Sequence, residues 1–279
     1  MIHPRAAIST RLKAEDLMSR VQTVVKHYPY YIRQLSRLPF GAYRRLTRAR
    51  CQAFPIMEPF LAGKTGLEIG GPSPFYCANG MVPVYELCQE IDNCNFAART
   101  LWTNPGGQAG PRVKFHREIV AEACDLSVIS DETYDFVVAS HVLEHIANPL
   151  RALREWRRVL KANGVLLIVV PDKRNTFDRK RPFTSFEHIA ADFANGTDEG
   201  DLTHLDEILF LHDLSLDPLA GSRQQFQERC LQNASIRAIH HHVFSQRVLN
   251  HMIESVDMQV LSLRCERPIH ITGFAQKLT

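Results

Sequence analysis

Apolar positions along the chain change period repeatedly, and each change marks an element. Residues 66–69 form a short apolar run ending in Gly70-Gly71, a strand that enters a tight turn. A second strand is expected just before Asp92, and a third leading to Glu122–Leu126. Residues 134–139 are apolar and β-branched almost throughout, the pattern of a strand covered on both faces. The period then lengthens. Leu150, Leu153, Trp156 and Leu160 recur at helical spacing behind Asn148 as N-cap and Pro149 at the first helical position, and Asn163-Gly164 closes the helix. A fifth strand follows over 165–170 and stops at Pro171. Near the end, Ser245 caps a helix through about residue 256, and 258–263 and 270–275 read as strands joined by a turn around Arg267-Pro268.

Strands alternating with helices predict an α/β fold with a mostly parallel sheet. Residues 1–60 read as helix and loop broken by Pro29, Pro39, Pro55 and Pro59. The stretch between Pro171 and Ser245 is too long for a simple crossover, so it reads as an inserted cap, and long structured insertions at a ligand edge carry specificity. The expected organisation is a helical N-terminal extension (1–60), a sheet core (61–171), a substrate cap (172–244), and a helix with two strands completing the core (245–279).

Composition narrows the class. With 279 residues, 45% of them apolar, the chain can bury one substantial core with appended elements. No run of eighteen apolar residues predicts a membrane span, and no apolar stretch near the N-terminus predicts a secretory signal. The seven cysteines are scattered without a Cys-x-x-Cys pair, which suits reduced thiols and a cytoplasmic location. The net charge of +3 hides an asymmetry: residues 1–50 hold eleven Lys or Arg against Glu15 and Asp16, a balance of +9 that leaves −6 for the rest. One reading packs the apolar stripe of that segment on the core and solvates its arginines. The other is peripheral membrane contact through residues 1–50 at an anionic surface. No RNA-binding motif appears, so nucleic acid is not an expected partner, and nothing in the chain sets an oligomeric state.

The glycine turn carries the first candidate chemistry. Glu68-Ile-Gly-Gly71 places two residues without Cβ where the backbone approaches a ligand closely. Asp92, 24 residues after Glu68, sits at a spacing suited to a ribose diol, and Asp125-Leu126 offers a carboxylate and an amide to an adenine ring.

Residues 64–170 resemble the core of class I S-adenosylmethionine-dependent methyltransferases. The resemblance rests on Asp125-Leu126, Tyr134-Asp-Phe-Val-Val, Ser140-His-Val-Leu-Glu-His145 and Arg158-Val-Leu-Lys-Ala-Asn-Gly164. It implies a Rossmann-like seven-stranded sheet whose last strand is antiparallel, and S-adenosyl-L-methionine as cofactor. It places Glu68, Gly70 and Gly71 at the methionine end with Pro72 beside them, Asp92 and Asn93 at the ribose, Asp125 and Leu126 at adenine, and Ser140 and His141 beneath the sulfonium. Pro72 stands where the family's first motif carries another glycine.

His141-Val-Leu-Glu-His145 also matches an inverted zinc-protease signature, with Glu144 as base, but Asn148-Pro149 begins a new helix immediately afterwards. No metal set is therefore assigned. Methyl transfer is an in-line displacement that needs positioning, and a base when the nucleophile is a hydroxyl. His188, His241, His242 and Asp178 are the candidates for that base, and Arg174, Arg181 and His145 for holding a polar or anionic acceptor. The expectation is an S-adenosylmethionine-dependent methyltransferase acting on oxygen of a small polar molecule or glycan. N-methylation of a small molecule, a non-catalytic cofactor-binding protein, and a zinc hydrolase are the alternatives.

Overall fold

A computed structural model describes residues 50–100 and 113–279. The arginine-rich segment expected to pack on the core or touch a membrane lies outside the described residues except for Arg50, whose guanidinium donates to Ala78 O and Gly80 O. No described helix is long and apolar enough to cross a membrane.

Seven strands form one sheet: β1 (Thr65–Ile69), β2 (Glu90–Asn95), β3 (Glu118–Val120), β4 (Tyr134–Ser140), β5 (Leu160–Pro171), β6 (Met258–Glu266) and β7 (His270–Lys277). Their spatial order is β3-β2-β1-β4-β5-β7-β6, and β7 runs antiparallel to both of its neighbours. This is the Rossmann-like arrangement with the last strand reversed. The order turns back between β1 and β4, and such a switch point opens a crevice at the strands' carboxyl ends.

The near-continuous apolar runs follow from coverage on both faces. Along β4 and β5, Val137, Ala139, Leu166, Ile168 and Val170 enter one apolar cluster. Their alternates Phe136, Val138, Val165, Leu167 and Val169 enter another. The first is closed by helices Pro149–Val159 and Gln246–Ser255, the second by helix Phe54–Leu61. Gly66 is required by this packing: a Cβ there would stand 1.9 Å from the Phe136 ring.

Numbered in chain order, the described α-helices are α1 (Phe54–Leu61), α2 (Val84–Leu87), α3 (Pro149–Val159), α4 (Phe186–Asn195), α5 (Leu205–Leu211), α6 (Arg223–Leu231), α7 (Asn233–Ile236) and α8 (Gln246–Ser255). The caps are as the sequence predicts: Asn148 Oδ1 accepts from Arg151 N, and Ser245 Oγ from Val248 N. One boundary shifts: α3 ends at Val159 because Leu160 pairs with Tyr134 and opens β5. The third strand, 118–120, leads to 122–126 as expected, and there Glu122 and Asp125 meet in an isolated bridge.

The expected domain limits move as well. α1 sits in the sheet's own core through Met57 and Leu61, so the core begins before residue 61. Within the expected cap, α4 buries Ile189 in the main cluster, while Ile208, Ala220, Phe226, Cys230 and Ile239 form a small core of their own.

Candidate functional site

The carboxyl ends of β1, β2 and β4 open on a cavity of about 280 Å³. Ile69 and Gly70 form one side, Asn95 and Phe96 another, and Ser140, His141 and His145 the end beside β4. Glu199 and Arg237 close it from the cap.

Gly70 has φ +76°, a conformation that favours glycine, and its N–H ties β1 to Cys94 O at 2.8 Å. A Cβ there would stand 2.4 Å from Val142 Cγ2. Behind the turn lies a buried polar brace. The Glu68 carboxyl accepts from Tyr85 OH (2.8 Å) and Ser73 N (3.0 Å), and burial pushes its pKa up to about 8. Asn93 Oδ1 accepts from Gly71 N (3.1 Å), and its Nδ2 donates to Glu118 Oε2 (2.9 Å). Gly70 and Pro72 thus line the cavity, whereas Glu68, Gly71 and Asn93 support the turn from behind.

Two expected ligand positions are displaced. Asp92 is 2% exposed, and its Oδ2 is claimed by Arg117 Nη2 (2.7 Å) and Tyr134 OH (2.6 Å). It pairs with Leu67 in mid-strand, so β2 reaches the cavity only farther on, through Cys94 and Asn95. Asp125 points to solvent, and the Leu126 N–H already donates to Glu155 Oε2 at 2.8 Å. Glu122 and Ala123 occupy the cavity wall instead. The signal that finds Asn95 and Glu122 is register: each lies at or just past the end of its strand.

Residues 92–168 match the family model described as a methyltransferase domain. That span runs from β2 to β5 and includes the cavity's β4 wall. By that match residues 92–168 form a methyltransferase domain, set in a seven-stranded sheet of the order given above. Over 57 residues it is 46% identical to an uncharacterized protein of Methanocaldococcus jannaschii, a match spanning 20% of this chain and 24% of that relative's length. Among solved structures, an S-adenosylmethionine-dependent methyltransferase from Methanosarcina mazei is 16% identical, with 81% of this chain and 98% of that chain covered and a TM-score of 0.46. A 1,6-didemethyltoxoflavin-N1-methyltransferase of Burkholderia thailandensis, with its substrate and S-adenosylhomocysteine bound, is 11% identical, with 89% and 88% covered and a TM-score of 0.43. The cavity of the methyltransferase domain fits an adenosyl cofactor: Phe96 and Ala123 offer apolar faces, and the Glu122 carboxylate and Asn95 amide offer polar edges.

At the β4 end of the methyltransferase domain's cavity, His141 has φ +57° and its Nε2 lies 2.9 Å from His270 Nδ1. Leu143–His145 is a single 3₁₀ turn, and α3 starts afresh at Pro149, so His141 and His145 never share the helix face that the zinc-protease reading requires. His145 Nδ1 donates to Ile239 O (2.9 Å), which fixes its tautomer, and burial pushes its pKa down to about 3. Beside it Glu144 is buried with neither carboxylate oxygen hydrogen-bonded, and His141 Nδ1 is 3.4 Å from Oε1. Burial raises the Glu144 pKa, but His141, His145 and His240 outweigh it and hold the carboxyl below its usual range.

The remaining candidates divide by location. Asp178 is buried between His240 Nδ1 (2.5 Å) and Arg181 Nη1 (3.0 Å). Arg181 is 1% exposed and also donates to Glu207 Oε1 and His240 O, so the pair braces the cap and does not face the cavity. Arg174 pairs with Asp172 near the surface. His241 is buried against Asn233 Nδ2 (3.0 Å). His188 and His242 line no part of this cavity and gather elsewhere in the cap with His204. Of the acceptor-side candidates, His145 alone lines the cavity.

Proposed function

We propose that the protein transfers a methyl group from S-adenosylmethionine to a hydroxyl of a small polar acceptor, such as a sugar, that enters beneath the cap beside His145. In this reading Glu122 and the Ala123 backbone hold the adenine edge, Asn95 a ribose hydroxyl, and Gly70 and Pro72 the close wall along the cofactor. Ser140 and His141 lie beneath the reacting end. When bound, the cofactor supplies a methyl carbon already activated by its sulfonium, so the chain's residues have to align the acceptor and remove a proton.

The observation that carries the reading is the Glu144 carboxylate, buried without a hydrogen bond at the end of β4. Glu144, His145 and His240 each place a donor atom within 4.8 Å of the others. Burial holds His145 neutral at rest, as a base must be, and the Glu144 charge works against that burial. His145 therefore takes the proton as the new carbon–oxygen bond forms and the methyl–sulfur bond breaks, while Glu144 balances the charge. Asp178 and His240 hold the cap side of this group in place.

The test is calorimetric titration of S-adenosylhomocysteine into wild type, Glu122→Ala and His145→Gln, followed by transfer of labelled methyl groups to a panel of sugars and hydroxylated metabolites. Retained binding with lost transfer in His145→Gln supports the reading. Absence of binding by folded wild-type protein overturns the cofactor assignment. Binding with unchanged transfer in the variant overturns the base.

A further inference from the structure

A second group of histidines lies in the cap, away from the cofactor cavity. His188 and Asp192 stand one turn apart on α4, His204 precedes α5, and His242 lies on the segment before α8. A ring nitrogen from each of the three histidines lies within 4.8 Å of those of the other two. His188 Nε2 and His204 Nε2 face each other at 3.0 Å. Asp192 Oδ2 is 3.2 Å from His188 Nε2 and 3.8 Å from His242 Nε2, yet it has no aligned hydrogen bond.

From this arrangement we infer that His188, Asp192, His204 and His242 form a binding site for a divalent cation of the zinc type. Three imidazoles and one carboxylate are a ligand set that such ions accept in tetrahedral geometry. Metal–ligand bonds of about 2.0–2.1 Å place neighbouring donors about 3.3 Å apart in a tetrahedron, close to the 3.0 Å and 3.2 Å that separate His188 Nε2 from His204 Nε2 and Asp192 Oδ2, with a His242 ring nitrogen within 4.8 Å of the other two imidazoles. His188 and His204 pair within hydrogen-bond distance, and Asp192 and His242 converge on the same place as donors do around a shared partner.

The surroundings supply a second, independent sign. Ligating side chains are normally held by hydrogen bonds on their far side. Thr197 Oγ1 donates to Asp192 Oδ1 (3.1 Å), which leaves Oδ2 as the orphan. His242 is 1% exposed, its Nε2 donates to Ala147 O (3.1 Å), and its Nδ1 lone pair is buried without a partner. An unpartnered acceptor nitrogen in so dry a place costs free energy unless a donor or a cation meets it.

Such an ion joins α4, which packs on the main core, to α5 and to the segment entering α8. Glu199, which lines the cofactor cavity, lies on the loop between Asp192 and His204. A cation here is therefore a staple for the cap and fixes one wall of the cavity, without touching the reacting atoms.

The experiment uses the full chain stripped of metal with chelator and titrated with cobalt(II), read by the visible d–d bands of tetrahedral cobalt, then with zinc in competition. One equivalent with tetrahedral bands in wild type, lost in His204→Gln and Asp192→Asn, is the expected result. Thr197→Val, which removes only the outer support of Asp192, is expected to bind zinc about tenfold more weakly. Circular dichroism and S-adenosylhomocysteine titration check that each variant is folded. Wild type binding no tighter than His204→Gln overturns the inference, as does loss of the bands in His240→Gln instead, which assigns the ion to the Glu144 group. The readout does not depend on methyl transfer, so it stands or falls apart from the proposed activity.

Discussion

The two histidine groups use the same residue types and differ in what surrounds them. In the Glu144–His145–His240 group one carboxylate sits among imidazoles at the wall of the cavity, with Asp178 and Arg181 behind it. In the His188–Asp192–His204–His242 group the imidazoles face each other, the carboxylate is turned inward by Thr197, and the cavity is not reached. The first arrangement can accept a proton from something in the cavity. The second can only hold something between its own side chains. What decides the chemistry of a histidine is therefore the direction of its neighbours' lone pairs, not its presence in a rich cluster.

The sharpest way to break this contrast is to exchange the same atoms in both groups. His145→Gln is expected to slow methyl transfer by about 100-fold or more, the usual worth of a general base, with cofactor affinity intact. His204→Gln is expected to leave turnover at saturating cofactor within a few-fold of wild type. Equal losses in single-turnover assays of both variants erase the distinction. A smaller effect sharpens the cavity's polar edge. Glu122→Ala removes the carboxylate assigned to adenine and is expected to weaken S-adenosylhomocysteine binding about tenfold, the cost of one hydrogen bond to a charged group. Asp125→Ala, three residues on, is expected to change it by less than about twofold, and calorimetry separates the pair.

The smallest effect is on the pH dependence of stability, where two buried groups act in opposite directions. The Glu68 pKa rises from 4.5 to about 8 in the folded chain, so its proton is bound more tightly there than in the unfolded chain. Its contribution is complete below pH 4.5 and is lost as the pH climbs to about 8. The His145 pKa falls from 6.5 to about 3, so its contribution is complete above pH 6.5 and is lost as the pH drops toward 3. Denaturant melts across that range are expected to show Glu68→Gln flattening the alkaline limb and His145→Gln the acid limb. Reversal of either assignment contradicts the burial argument.

The fold was legible wherever local pattern decides. Strand β4 is apolar because both of its faces are covered, and α3 announces itself through Asn148, Pro149 and the Leu150–Leu153–Trp156 stripe. The turn at Gly70 was legible for the same reason. At the ligand edge the expected Asp92 and Asp125 lie off the cavity, and Asn95 and Glu122 line it. Spacing from a glycine turn says which loop faces a ligand, but only strand pairing says where the strand stops. The cap was not legible at all at the level of side chains. His188, His204 and His242 span 54 positions by their numbers and meet only because α4 packs on the main core while α5 joins a separate small one. No periodicity encodes that meeting.

Arg237 reaches from the cap across the cavity, its Nη2 2.7 Å from Glu122 Oε1 and its guanidinium carbon 5.2 Å from the centre of the Phe96 ring. In the proposed cofactor pose it thus covers the two surfaces assigned to the adenine ring, its flat face and its amino edge, with a flat cation of similar shape. A base entering that slot has to evict an occupant the chain itself supplies. Loading then becomes a competition between tethered and free partners, and because Glu122 is half exposed the tether is one that salt loosens. Stopped-flow association of a fluorescent cofactor analogue is expected to accelerate with ionic strength in wild type and to lose that dependence in Arg237→Ala.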